Sequence, residues 1–342
     1  MKSRFTRVIP AVAVPALVIG AAIIIPVAAD ASPRLPERSP QEVLQLVADS
    51  VDTQYSGTIE QRSDLGLPEL PSVGPSSSEA TALEFLTGSR EARVFVGEDH
   101  AFRLQLLDQL AERDVVRNGE SVWYYDSTGN EAVRLTLDES AEAPQAWTPD
   151  ELARTALQGL DSSTTVTVSD TARVAGRPVY QLVLTPKSAD TLVGSVTLSV
   201  DSETGLPLAF EVAAVGQDAA TFSVAFSSVD FTAPDPALFD FTPPANATVT
   251  EQAIPDHAQA EEPTRPDVTV TGEGWSAIVS VPADTADLDA GSESAALLDQ
   301  FTTPVAGGRA MQTSLVSVLL TDDGRVLIGA VSVAQLQAAA AR

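Results

Sequence analysis

Apolar and polar residues alternate along most of this chain, and residues 193–215 carry the clearest case. Val196, Leu198 and Val200 alternate with Ser195, Thr197 and Ser199, and Leu206, Leu208, Phe210 and Val212 alternate with Pro207, Ala209 and Glu211. A period of two lays one side of a strand against a core. Between the runs, Asp201-Ser202-Glu203-Thr204-Gly205 consists of turn formers, and Gly205 offers the positive φ that a tight reversal often needs. Pro207 gives no ladder hydrogen bond, which assigns it to the start of its strand or to an edge. The stretch predicts a long antiparallel hairpin with one apolar side.

The same period recurs on both sides of this hairpin. Tyr55–Arg62 predicts a first strand. Val94 and Val96, then Phe102, Leu104 and Leu106, then Val122 and Tyr124, then Val133, Leu135 and Leu137 predict a meander, with turns at Asn118-Gly119 and Thr128-Gly129-Asn130. Thr164–Val174 and Val179–Thr185 read as strands separated by Gly176-Arg177-Pro178, and Phe222, Val224 and Phe226 alternate farther on.

Helical spacing appears in two places within this region. Ser39-Pro40-Gln41-Glu42 has the form of a capping box ahead of Val43, Leu44, Leu46, Val47 and Val51, and Thr148-Pro149-Asp150-Glu151 repeats that form. Residues 65–78, rich in Pro and Gly, read as a loop, and 80–86 as a short helix able to serve as a lid. The whole predicts an α+β domain over 39–250, a curved antiparallel sheet with helices on one side.

After Pro243-Pro244 the pattern changes. Residues 251–267 hold three prolines and Glu261-Glu262 with few apolar positions, and read as a linker. Residues 268–342 read as a small α+β unit. Its strands fall at 268–270 and 275–281, a helix at 294–301, a hairpin at 314–320 and 325–331, and an Ala-rich helix at the end. Such a unit is expected to dock on the first domain or to bind a partner.

Composition narrows the functional classes. A net charge of −27 argues against nucleic acid as a partner, because phosphates would be repelled. The absence of cysteine excludes disulfides, thiol catalysis and a lipoprotein anchor on cysteine. At the start, Lys2, Arg4 and Arg7 precede an apolar run from Val8 to Ala29, and Ala29-Asp30-Ala31 offers a small-x-small cleavage site. Residues 1–31 are therefore expected to be a signal peptide. An uncleaved anchor is the alternative, since the run approaches the roughly 20 apolar residues of a membrane span. Either way the remainder lies outside the cytoplasm, secreted or tethered.

Three quoted stretches in this order carry a resemblance: YSGTIEQ behind a capped helix, the hairpin SVTLSVDSETGLPLAFEV, and LFDFTPPANATV. Together they resemble the LolA/RseB superfamily of exported lipid-handling proteins, over about residues 40–250. The resemblance implies a half-barrel of antiparallel strands with helices covering the concave face. It implies one of three roles: shuttling lipoproteins, binding acylated lipids, or sensing envelope stress by capturing a membrane anti-sigma factor. The RseB branch also carries a smaller second domain. No ligand-binding residue of the family can be transferred, because no local motif anchors one.

The candidate site is an apolar hollow. Val196, Leu198, Val200, Leu208, Phe210 and Val212 would supply one wall, and Trp123 and Tyr125, from the aromatic cluster Trp123-Tyr124-Tyr125, another. The competing reading of each residue is ordinary core. Catalytic and metal chemistry finds little support. Glu98-Asp99-His100 are three neighbours in a turn that do not converge, and neither Asp322-Asp323-Gly324 nor 201–205 has calcium-loop spacing. The expectation is a non-enzymatic, cofactor-free and metal-free protein that holds a lipid or lipoprotein acyl chain. The alternative is an RseB-like regulator that binds an anti-sigma factor.

Overall fold

The computed structural model describes residues 35–66, 88–107, 111–137, 148–253, 268–282 and 301–342. The expected signal segment, the predicted helices at 80–86 and 294–301 (Phe301 excepted) and most of the 65–78 loop lie outside these residues. So does the part of the expected linker beyond Ala253.

The first helix, α1 (Pro40–Asp49), starts as its sequence dictates. The Ser39 hydroxyl accepts from the Glu42 backbone N–H, while the Glu42 carboxylate accepts from the Ser39 N–H at 2.7 Å. Eleven strands follow, interrupted by α2 (Pro149–Gln158): β1 (Tyr55–Ser63), β2 (Gly88–Val96), β3 (Phe102–Leu107), β4 (Glu112–Asn118), β5 (Ser121–Asp126), β6 (Glu131–Thr136), β7 (Thr164–Val174), β8 (Arg177–Pro186), β9 (Val193–Asp201), β10 (Pro207–Ala214) and β11 (Ala220–Asp230). With β12 (Thr248–Ala253) they form one twelve-stranded sheet in the order β12-β6-β5-β4-β3-β2-β1-β11-β10-β9-β8-β7. All neighbours are antiparallel except β12, which runs parallel to β6. This is the expected curved, open α+β sheet, and α1 and α2 pack against one of its faces, near β7–β8 and β10–β11.

The central hairpin β9–β10 matches its prediction, and Pro207 stands at the first position of β10. Gly205 has φ +77°, and a Cβ there would lie 2.1 Å from the Leu46 carbonyl oxygen of α1. Only glycine meets both demands. Buried Asp201 closes the turn. It accepts from Arg177 Nε at 2.6 Å and Arg177 Nη2 at 2.9 Å, and from the Thr204 backbone N–H and hydroxyl at 2.9 Å each.

Several local readings differ from the structure. The turn between β7 and β8 is Ala175-Gly176, both at positive φ (49° and 77°), so Arg177 and Pro178 already belong to β8. Thr148 precedes α2 in cap position but caps nothing, because its hydroxyl is 2.6 Å from an Asp150 carboxylate oxygen. Two strands of the large sheet escaped the pattern. In β4 the charges Glu112, Arg113, Asp114 and Arg117 surround only two apolar residues, and β12 is a polar edge strand whose last three residues overlap the expected linker.

A second sheet follows: β13 (Thr269–Thr271), β14 (Ile278–Pro282), β15 (Thr303–Val305), β16 (Gly308–Gln312), β17 (Ser317–Thr321) and β18 (Arg325–Gly329), in the order β13-β14-β18-β17-β16-β15. Helix α3 (Val333–Ala340), capped by Ser332 and Gln335, places Leu336 on a small core of Ile278, Ala310, Leu319 and Leu327. β15 and β16 were not visible as strands, being short and interrupted by Pro304 and Gly307-Gly308. The second sheet is tied to the first. Trp275 Nε1 donates to Thr164 Oγ1 at 2.8 Å, the Leu192 N–H and the Thr191 hydroxyl both donate to the Ala330 carbonyl, and Leu315 and Trp275 join the large core.

Candidate functional site

Strand register decides which side chains share a face, because directly paired residues point the same way. Leu182 pairs with Leu198, Leu198 with Phe210, Phe210 with Val224, and Val224 with Gln61. On β1, Ile59 shares Gln61's side and pairs with Ala92; Ala92 pairs with Leu106. On β3, Leu104 shares that side and leads through Val115 to Tyr124. One apolar face thus runs from β8 to β5, and the helices lie on it.

This face divides in two. Over β8–β11 it is filled: Val196, Leu198, Val200 and Leu208 are 0–3% exposed and Phe210 9%, packed with Val43 and Val47 of α1 and Ala153 of α2. Of the expected wall, Val212 alone is half-buried. Over β3–β5 the face is mixed: Leu104 and Val122 are buried, whereas Phe102, Leu106, Val115 and Tyr124 are half-buried. Burial raises the Tyr124 phenol above its ordinary pKa, as an apolar setting should.

Trp123 and Tyr125 are not on this face. They project from the opposite side of β5, where both pack against Phe241 with ring centroids 5.5 and 5.7 Å away, and Arg134 stacks over Trp123 at 5.6 Å. The aromatic cluster therefore contributes Tyr124 to the concave side and gives its other two rings to the packing of the segment before β12. Sequence alone could not choose, because Trp123-Tyr124-Tyr125 offers an aromatic to either face.

The wall at β1–β3 holds what the sequence reading missed. Ile59, Ala92, Leu104 and Leu106, with Gln61, Arg90 and Glu91, line a recess of about 10 Å³, room for one water. Gln61 is 3% exposed. Among the described residues neither atom of its carboxamide meets a hydrogen-bond partner. The signal was present: Tyr55, Gly57, Ile59 and Gln61 fall on the inward side of β1, and an amide follows Ile59 in that series.

Above this wall sits a polar latch. The Tyr55 hydroxyl donates to Asp150 at 3.2 Å at the start of α2, and Arg154 approaches the same carboxylate at 3.7 Å. Burial, with the Asp150 charge adding to it, holds the Tyr55 phenol well above its usual range. The second sheet has its own open groove of about 600 Å³, lined by Leu319, Thr321, Asp322, Arg325, Ala338 and Ala341. The charge of Arg325 is already engaged there, by Asp323 and the Ala340 carbonyl. Glu98-Asp99-His100 forms the β2–β3 turn, with Asp99 and His100 at positive φ. Among the described residues no group of three or more His, Asp or Glu could hold a metal, and no helix is long and apolar enough to cross a membrane.

Residues 86–253 match the family model of the MucB/RseB N-terminal domain. This match supports a LolA/RseB-like superfamily assignment for these residues. Solved structures similar to this chain include a Pseudomonas aeruginosa MucA/MucB complex, at 18% identity over 87% of this chain and 96% of the other, with a TM-score of 0.46. An uncharacterized conserved protein from Thermus thermophilus shows 16% identity over 62% and 98%, TM-score 0.37. A LolA superfamily protein from Nitrosomonas europaea shows 11% over 60% and 99%, TM-score 0.25. No curated protein matches the chain. Lipoprotein carriers and RseB-like regulators are the two kinds of protein this superfamily assignment brings into play.

Proposed function

We propose that this chain is an exported, non-enzymatic binding protein whose concave face holds an acyl chain of a lipid or lipoprotein. The carrying observation is the division of that face. Its β8–β11 part is closed by α1 and α2, whereas the β3–β5 part leaves Phe102, Leu106, Val115 and Tyr124 half-buried beside buried Leu104 and Val122. Burying a methylene is worth about 0.8 kcal/mol, so a partly seated acyl chain binds usefully without a charged partner. Export is supported by the basic start and long apolar run at 1–29.

The test uses full-length protein stripped of lipid and a fluorescent fatty-acid probe. Saturable uptake, weakened by Leu106→Asn, is the expected result; no uptake by folded wild-type protein overturns the reading. A second reading, capture of a membrane anti-sigma factor, is favoured by the MucB/RseB domain match and by the second sheet packed on the first. Native mass spectrometry of protein drawn from its own membranes separates them. Lipid masses support the carrier, and a retained membrane-protein fragment without lipid supports the regulator.

A further inference from the structure

The recess around Gln61 carries a more specific reading, which rests on the acyl-binding proposal. We infer that the Gln61 carboxamide receives the ester or amide group at the head of the bound acyl chain. A primary amide offers two donors and an acceptor, and here all are buried among Ile59, Ala92, Leu104 and Leu106 without a partner among the described residues. An unpaired buried amide is penalised in the empty protein, and that penalty is relieved by whatever reaches it. The recess volume admits one water or one carbonyl-sized group.

The ligand class follows from the surroundings. Ile59, Ala92, Leu104 and Leu106 flank the amide and Arg90 is its cross-strand partner on β2, so an extended polar headgroup would be desolvated against a mostly aliphatic wall. A carboxylate would bring a second charge into this wall, where Arg90, the cross-strand partner of Gln61, already has an interaction of its own. A neutral carbonyl attached to a hydrocarbon tail fits both parts. Its oxygen accepts from the Gln61 Nε2–H while the tail runs along Leu104, Leu106, Val115 and Tyr124, which share one side of adjacent strands. Gln61 is then a selectivity residue, distinguishing acyl from alkyl.

The experiment compares two ligands that differ in one carbonyl: a 1-monoacylglycerol and the 1-O-alkylglycerol of equal chain length. Each competes with a fluorescent monoacylglycerol probe on delipidated full-length protein. The wild type should prefer the ester by about tenfold, the worth of one good buried hydrogen bond. Gln61→Leu should bind the two ligands with equal affinity, the ester preference being lost. Gln61→Met provides the same comparison if the branched side chain fails to fold. Gln61→Leu should also raise the melting temperature of the ligand-free protein, because it removes an unpaired amide. Equal affinity for the two ligands in the wild type, or an ester preference surviving in both variants, overturns the role of Gln61 and leaves acyl binding intact; the amide then holds a water. Binding of neither ligand overturns the acyl reading and this one with it.

Discussion

Asp201 shows how much one residue of this fold can carry. Its carboxylate is buried and receives the Arg177 fork, which also reaches Glu203 at 2.8 Å and lies over the Phe231 ring at 4.7 Å. Burial alone would raise the Asp201 pKa, but the Arg177 and Thr204 hydrogen bonds outweigh it and hold the group below the ordinary carboxylate range. A depressed folded-state pKa contributes stability that is present above the unfolded value of about 3.9 and is lost as pH falls through the folded value. Urea titrations from about pH 5 down to about pH 2 should therefore show wild type losing stability in that window, and Asp201→Asn losing less. At neutral pH, Asp201→Ala should cost toward the lower end of the roughly 3–5 kcal/mol of a broken buried pair, because Arg177 keeps Glu203 and partial access to water. An unchanged denaturation midpoint would mean that the turn is held by its backbone alone. Gly205→Ala adds an independent check. Its Cβ meets the Leu46 carbonyl, so the variant should lose more than the roughly 1 kcal/mol of an ordinary positive-φ glycine replacement, read as an earlier thermal midpoint.

At the scale of elements, alternation made the central hairpin, β1–β3, β5–β8 and β11 legible, since each packs one side on a common core. It failed for β4 and β12. The cross-strand partners of β4 accept its charges, as where Arg103 Nη2 donates to Asp114 at 2.6 Å, so its pattern reads as polar. β12 is held by backbone pairing with β6, which leaves no side-chain period. The concave site was half legible. Register put Leu198 and Phe210 on the right face, but whether that face is filled depends on helices remote in the chain, at 40–49 and 149–158, which a single strand's pattern cannot report. The difference is measurable. Leu198→Asn should cost at least the roughly 2–5 kcal/mol of a cavity-forming substitution plus an unpaired amide, and leave little folded protein. Val115→Asn, on the half-buried part, should cost about 1–2 kcal/mol and keep the fold. Equal losses in chemical denaturation would mean that both parts are closed core. Tyr55→Phe removes the hydrogen bond to the Asp150 carboxylate, so a loss of roughly 1.5–3 kcal/mol is expected in the same measurement.

At the scale of the molecule, the question is how firmly the second sheet is held to the first. The sequence reading placed a linker at 251–267 and left docking open; the contacts across the join are specific. They comprise the Trp275 indole on Thr164, two donors from 191–192 on the Ala330 carbonyl, the Gln335 amide on the Asp190 carbonyl at 3.2 Å, and Leu315 buried in the large core. Thr164 begins β7, the outermost strand of the large sheet, so the smaller sheet shields that end of an edge otherwise open to pairing. One cut at a protease site introduced within 254–267 would divide the chain between the two sheets. The contacts predict that the two fragments stay together after that cut and co-elute on size exclusion at the mass of the whole. Trp275→Ala deletes the indole hydrogen bond and its share of the core, and should let the C-terminal fragment dissociate at micromolar concentration. The large fragment alone should then expose the β7 edge and show concentration-dependent association. Fragments that separate in the wild type would mean that the connection itself, rather than the Trp275 and Ala330 contacts, holds the second sheet in place.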